Sequence, residues 1–122
     1  RVMVKLSCML AEELNAKALI TGENIGQVSS QTLSNINAIS SASNLPILRP
    51  LAGHNKEEII NIANEIGTYE YSIAPHQDCC SFFLPLHPAL KSRANEIEKL
   101  EKKLNLEKLY KETILQREVY ET

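Results

Sequence analysis

The chain has 122 residues, 43% of them apolar, and a formal net charge of −2. That length holds one domain or part of one, and the near-neutral charge excludes a globally basic RNA-binding face, so any RNA contact needs a local patch or another part of the protein. No apolar run approaches a membrane span, Lys5, Glu12 and Glu13 interrupt what could otherwise resemble a signal peptide, and three cysteines, Cys8, Cys79 and Cys80, are not a secreted disulfide framework, which makes a reducing cytoplasm the expected setting.

Arg1 to Asn15 reads as an amphipathic helix with Met3, Leu6, Leu10 and Leu14 on its apolar stripe. It starts without a methionine and already inside the helical pattern, which reads as a fragment or a processed product. Cys8 within it reads as a small packed residue. Ala18 to Thr21 reads as a short buried strand. Gly22 and Gly26 then break the chain, and Thr32 to Ser43 resumes a helical pattern with Leu33, Ile36 and Ile39 on one face and a Ser- and Asn-rich opposite face. Leu45 to Pro50 is a second short strand between prolines. Asn55 with Glu58 forms a capping-box pair at the start of a helix whose stripe is Ile59, Ile62, Ala63 and Ile66, and Gly67 stands where a glycine ends a helix. Thr68 to Ile73 alternates and reads as a strand. Residues 75–88 are irregular. From Ala89 to Gln116 charges surround a thin stripe of Ile97, Leu100 and Leu104, and a second short helix follows Asn105 with Leu106, Leu109 and Ile114. The mixture of signs there predicts a solvated, salt-bridged surface and not a basic RNA stripe. Glu118 to Thr122 reads as an edge strand or a disordered tail.

Helix alternating with strand predicts an α/β fold, half of a doubly wound parallel sheet with an exposed edge that a second copy of the chain could cover. Two stretches could carry chemistry. The first is the glycine loop Thr21 to Thr32, which sets backbone N–H groups and a helix N-terminus at the carboxyl end of a strand, where open α/β sheets bind nucleotides and other anions. A short glycine loop more often only turns the chain, and this one is neither G-x-G-x-x-G nor a Walker A. The second is Pro75-His76-Gln77-Asp78-Cys79-Cys80, a vicinal thiol pair. A thiolate there is a nucleophile whose availability follows its local charges; packed apolar cysteines are the equally weighted alternative. Metal ligation by Cys79, Cys80, His76 and His87 is disfavoured, because adjacent cysteines chelate one zinc poorly.

The string T-G-E-N-I-G-Q-V-S-S-Q-T-L-S-N resembles the tRNA 4-thiouridine synthase family, PP-loop ATP pyrophosphatases that also serve thiamine thiazole synthesis. The likeness returns at I-L-R-P-L-A, at N-K-E-E-I-I-N-I-A-N-E-I-G-T-Y-E and at D-C-C-S-F-F-L-P-L-H-P. The resemblance implies a fold, the C-terminal half of a PP-loop domain, with residues 1–88 in the domain proper and 89–122 as a charged helical extension. It implies an activity: ATP, with Mg2+, adenylates a uridine of tRNA, and a persulfide sulfur displaces AMP to give 4-thiouridine. It implies Gly22 and Gln31 as nucleotide contacts. A basic residue of that site falls one place before Arg1, which is a poor substitute for it. The catalytic loop cysteine falls at Cys79 or Cys80, Cys79 by ungapped alignment and Cys80 when the loop proline is the anchor. The partners implied are tRNA, gripped mainly by N-terminal regions outside this stretch, a cysteine desulfurase or other persulfide donor, and a second copy in a homodimer. The family's S-G-G-x-D-S pyrophosphate loop is not in this stretch, so the piece alone is expected to be inactive. The alternative readings are a non-catalytic dimerisation or interaction module and another PP-loop ATPase.

Overall fold

A computed structural model of the chain describes residues 1–75 and 89–120. The element order is α1 (Val2–Glu13), β1 (Leu19–Ile20), α2 (Leu33–Ser40), β2 (Ile47–Leu48), α3 (Lys56–Glu65), α4 (Tyr69–Ile73), α5 (Ala94–Lys103) and α6 (Leu106–Leu115). β1 and β2 pair in parallel, with Leu19 opposite Ile47 and Ile20 opposite Leu48. Leu19 N–H donates to Pro46 O at 2.9 Å and Thr21 N–H to Leu48 O at 3.0 Å. With α2 as the crossover this is one β-α-β unit. Both strands end at the same rim, so the loop after β1 and the turn after β2 are neighbours.

Local signals fix most helix ends. Asn55 and Glu58 form the reciprocal capping box at the start of α3. Gly67 follows it at φ +74°, and the bonds Thr68 N to Ala63 O and Gly67 N to Asn64 O close a Schellman motif. α1 ends the same way on Asn15, at φ 55°, with Ala16 N donating to Ala11 O. Asn105, at φ 46°, separates α5 from α6.

Burial departs from the predicted stripes. In α1 Val4 and Ala11 are buried, Leu6, Cys8 and Leu10 are half-buried, and Met3 is 80% and Leu14 76% exposed, so the inward face includes the middle of the predicted stripe and not its ends. α1 packs on β1 and α6. In α2 the buried residues are Asn35 and Ala38, Ile36 and Ile39 of the predicted face are half-buried, and Leu33 is 68% exposed; the helix packs on α5. Ile20 in β1 is 73% exposed, not buried. In α3, Ile59, Ile62 and Ala63 are half-buried and Ile66 is exposed. Leu100, Leu104 and Leu109 are exposed, Ile114 of the predicted stripe is buried, and Tyr110, outside that stripe, joins the core with it.

The predicted third strand at Thr68 to Ile73 is the short helix α4. Among the described residues no strand lies beside it to satisfy an extended backbone, whereas a helical turn satisfies it locally: Ser72 N and Ser72 Oγ both bond Thr68 O. Arg117 to Tyr120 has no regular structure; Glu121 and Thr122 lie outside the described residues. The charged C-terminal surface is ion-paired as predicted, through Arg117–Glu13, Lys108–Glu112, Arg93–Glu96 and the contacts of Glu101 with Arg1 and Lys5. No helix among the described residues is long and apolar enough to cross a membrane.

Candidate functional site

The loop after β1 is held by side chains of its own sequence. Glu23 Oε2 accepts from Thr21 Oγ1 at 2.9 Å and from Arg49 Nε at 2.7 Å. Arg49 follows β2, and its NH2 also donates to Ser40 Oγ at 2.9 Å. Glu23 and Arg49 are both largely enclosed, so the pair joins the carboxyl ends of the two strands to the last turn of α2. Asn24 is only 5% exposed. Its Nδ2 donates to Leu51 O at 2.7 Å and also to His54 O, while Ile25 N donates to Ala52 O at 3.1 Å. The glycine loop is thereby laced onto the turn between β2 and α3. Asn24 N–H donates to Gln31 Oε1 at 3.1 Å, which folds the far end of the loop back on its beginning.

The two glycines of the loop differ in kind. Gly26 has φ +86°, a conformation that disfavours any Cβ. Gly22 has no such torsion, and a Cβ built there meets nothing within 4 Å. The fold makes no demand for glycine at 22. Gly22 and Gln31 therefore lie on one stapled loop at the carboxyl rim, joined through Asn24.

The start of α2 carries a second junction. Thr32 caps the helix, accepting from Asn35 N at 3.2 Å and donating to Leu90 O at 2.7 Å. The buried Asn35 donates to Ser30 O and Ala89 O, each at 2.7 Å, and accepts from Ser92 N at 2.9 Å. Residues 89–92 are thus tied to the helix N-terminus next to Gln31. Cys79, Cys80, His76 and His87 lie outside the described residues. Cys8 is half-buried, with Sγ 3.3 Å from Ser43 Oγ.

Arg1 is held in an ion-paired cluster, and its N-terminal amine is close enough to Glu23 to feel that carboxylate. Its guanidinium donates to Glu101 at 2.8 and 3.1 Å and to Ala38 O at 2.6 Å. Lys5 Nζ reaches the same Glu101 at 2.8 Å. The hydrogen bond from Arg1, with that from Lys5, outweighs desolvation and holds the Glu101 carboxyl at about 2, below its usual 4.5. A cleft of about 410 Å3 opens here, lined by Arg1, Lys5, Ser41, Glu101 and Tyr110 among others. Neither Gly22 nor Gln31 lines it.

What the sequence reading missed are the two asparagines. Asn24 lay inside a motif quoted for its glycines, and Asn35 was counted with a weak polar helix surface. A carboxamide in a glycine loop, and one three residues after a Thr cap, are the signals that mark them.

A parallel β-α-β unit with a glycine loop and a helix N-terminus at its carboxyl rim defines an α/β protein of the kind whose rim suits nucleotides and other anions. The family model described as "Thiamine biosynthesis protein (ThiI)" matches residues 1–106, and the chain belongs to that family. It is 48% identical over 107 residues to a "Probable tRNA sulfurtransferase" of Halothermothrix orenii, covering 88% of this chain and 27% of that protein. To the protein of the same description in Lysinibacillus sphaericus it is 44% identical over 120 residues, covering 98% and 30%. A crystal structure of a 4-thiouridine synthetase–RNA complex with bound ATP superposes with a TM-score of 0.91 at 48% identity, covering 98% of this chain and 31% of that one. The chain therefore spans about 30% of the length of these relatives.

Proposed function

We propose that this chain is the C-terminal part of the catalytic domain of an ATP-dependent tRNA sulfurtransferase, one half of a PP-loop doubly wound sheet, with residues 1–88 carrying the site and 89–122 a charged extension. The observation that carries the reading is the stapled loop. Gly22 stands on it at the carboxyl rim with no conformational need for glycine, and Gln31 is fixed to the same loop by Asn24, in a chain 48% identical to a synthetase with bound ATP.

ATP is a substrate in this reading, with Mg2+ on its phosphates. The Gly22 backbone and the Gln31 amide hold the nucleotide. The C4 oxygen of a tRNA uridine attacks the α-phosphorus and pyrophosphate leaves. A persulfide sulfur on Cys79 or Cys80 then attacks C4, and AMP leaves with the former uridine oxygen; a second thiol, the other cysteine of the pair or one from outside, attacks the S–S bond so formed, which releases 4-thiouridine and leaves a disulfide for an external thiol to reduce. Adenylation turns a poor oxygen leaving group into a good one, and a low-pKa sulfur nucleophile completes the exchange. The partners are tRNA, a persulfide donor and a second copy of the chain; the same sulfur transfer would serve thiazole synthesis. The full-length protein tests this. Cys79→Ser or Cys80→Ser should abolish 4-thiouridine formation while ATP consumption continues. Full thiolation by both single variants would remove the thiol role.

A further inference from the structure

We propose that Asn24 is a positioning residue for the nucleotide site: it fixes which way round the Gln31 carboxamide lies, so that Gln31 presents its NH2 group, a donor, to an acceptor atom of the nucleotide. The inference rests on the reading of Gln31 as a nucleotide contact and adds the chemical sense of that contact.

The orientation follows from donor and acceptor identity. A backbone N–H only donates, so the Gln31 atom 3.1 Å from Asn24 N is its oxygen. Nε2 must then be the other arm, and it has no protein acceptor among the described residues, while Gln31 itself is half-exposed on the rim that also carries Gly22. Asn24 is oriented by the same logic. Leu51 O and His54 O only accept, so the buried arm facing them is Nδ2. Its Oδ1 is left buried with no partner among the described residues. An unpaired buried oxygen is unfavourable, so this carboxamide is not filler. Its two N–H donors clamp the loop, and the clamp places the backbone N–H that locks Gln31. The nucleotide atom that meets Gln31 is consequently an acceptor, a ring nitrogen or a ribose or phosphate oxygen, and not the adenine amino group.

The experiment is steady-state thiolation by the full-length protein, resolved into the KM for ATP and kcat. Asn24→Ala should raise the KM for ATP by about three- to tenfold, the range for one lost hydrogen bond, with kcat changed less than twofold. Gln31→Ala should raise it similarly, and the double variant should be no worse than Gln31→Ala alone, because Asn24 acts through Gln31. Gln31→Glu does not depend on how Asn24→Ala folds. It keeps an oxygen for Asn24 N–H and replaces the outward donor by a carboxylate oxygen, so its KM should rise at least as far as that of Gln31→Ala. An unchanged KM in Gln31→Ala would overturn the nucleotide reading itself. A raised KM in Gln31→Ala, with multiplying effects in the double variant, an unchanged KM in Asn24→Ala or normal ATP use by Gln31→Glu, would overturn the positioning role alone.

Discussion

Asn35→Ala is the substitution whose effect follows most directly from the geometry. The side chain is buried and joins three backbone groups from two distant segments: Ser30 O, Ala89 O and Ser92 N, at 2.7, 2.7 and 2.9 Å. Truncation leaves all three without this partner, and a typical intramolecular hydrogen bond contributes about 1 kcal/mol net. The expected loss is therefore about 3 kcal/mol. With a urea m-value of about 1.5 kcal/mol per M, the midpoint should fall by about 2 M. Tyr110 is a buried fluorophore in a chain without tryptophan, so intrinsic tyrosine emission can follow the transition. Asn35→Asp is the companion variant. It keeps the acceptor for Ser92 N but turns a carboxylate oxygen toward two carbonyls, so it should be no more stable than Asn35→Ala. A midpoint shift below about 0.5 M for Asn35→Ala, which corresponds to less than one hydrogen bond, would refute the idea that this asparagine holds residues 89–92 on α2.

Three further expectations concern other contacts. Gly26→Ala should destabilise the fold by about 1 kcal/mol through its positive φ, whereas Gly22→Ala should leave the urea midpoint unchanged, since its Cβ meets nothing, and should weaken ATP binding in the full-length protein; equal midpoints for the two variants would show that the glycines are not distinct. Glu101→Gln should destabilise at pH 7 but not at pH 2. The carboxyl is held at about 2 in the fold against 4.5 normally, so its contribution is complete above pH 4.5 and fades as pH falls from there toward 2; a deficit that persists undiminished at pH 2 would refute this. Arg49→Met leaves Glu23 enclosed without its cation and should cost about 2–3 kcal/mol, part of which Glu23→Gln should restore when combined with it; thermal melts of the two single variants and the double variant measure the coupling.

How much of this was legible in the sequence depended on distance along the chain. The capping box of Asn55 and Glu58, the stop at Gly67 and the break at Asn105 are written within a few residues and were readable. The parallel β-α-β order was readable because strand and helix patterns alternate. The buried faces were readable only in part: Ile59, Ile62 and Ile114 of the predicted stripes do turn inward, but a stripe of long aliphatic residues marks a helix without saying which of them meets a neighbour most closely. α1 turns Val4 and Ala11 inward, and α2 turns Ala38. The strand expected at Thr68 to Ile73 failed because alternation has no value without a strand beside it. At the site, Gly22 and Gln31 could be named by resemblance, but Asn24 could not, since its partners, Leu51 and His54, are distant in sequence.

The entry to α3 has a consequence for how the molecule opens. α3 carries its own start and stop signals, and the element it packs on most among the described residues is the short α4. A ten-residue helix is marginal by itself, so α3 and α4 form a cooperative unit that can detach before the remaining elements come apart. One seam fastening it is the bond from Asn24 to His54 O, one residue before the helix cap. Amide exchange in α3 should therefore report on a loop it does not itself form: a nucleotide that tightens the seam should spread protection into the helix.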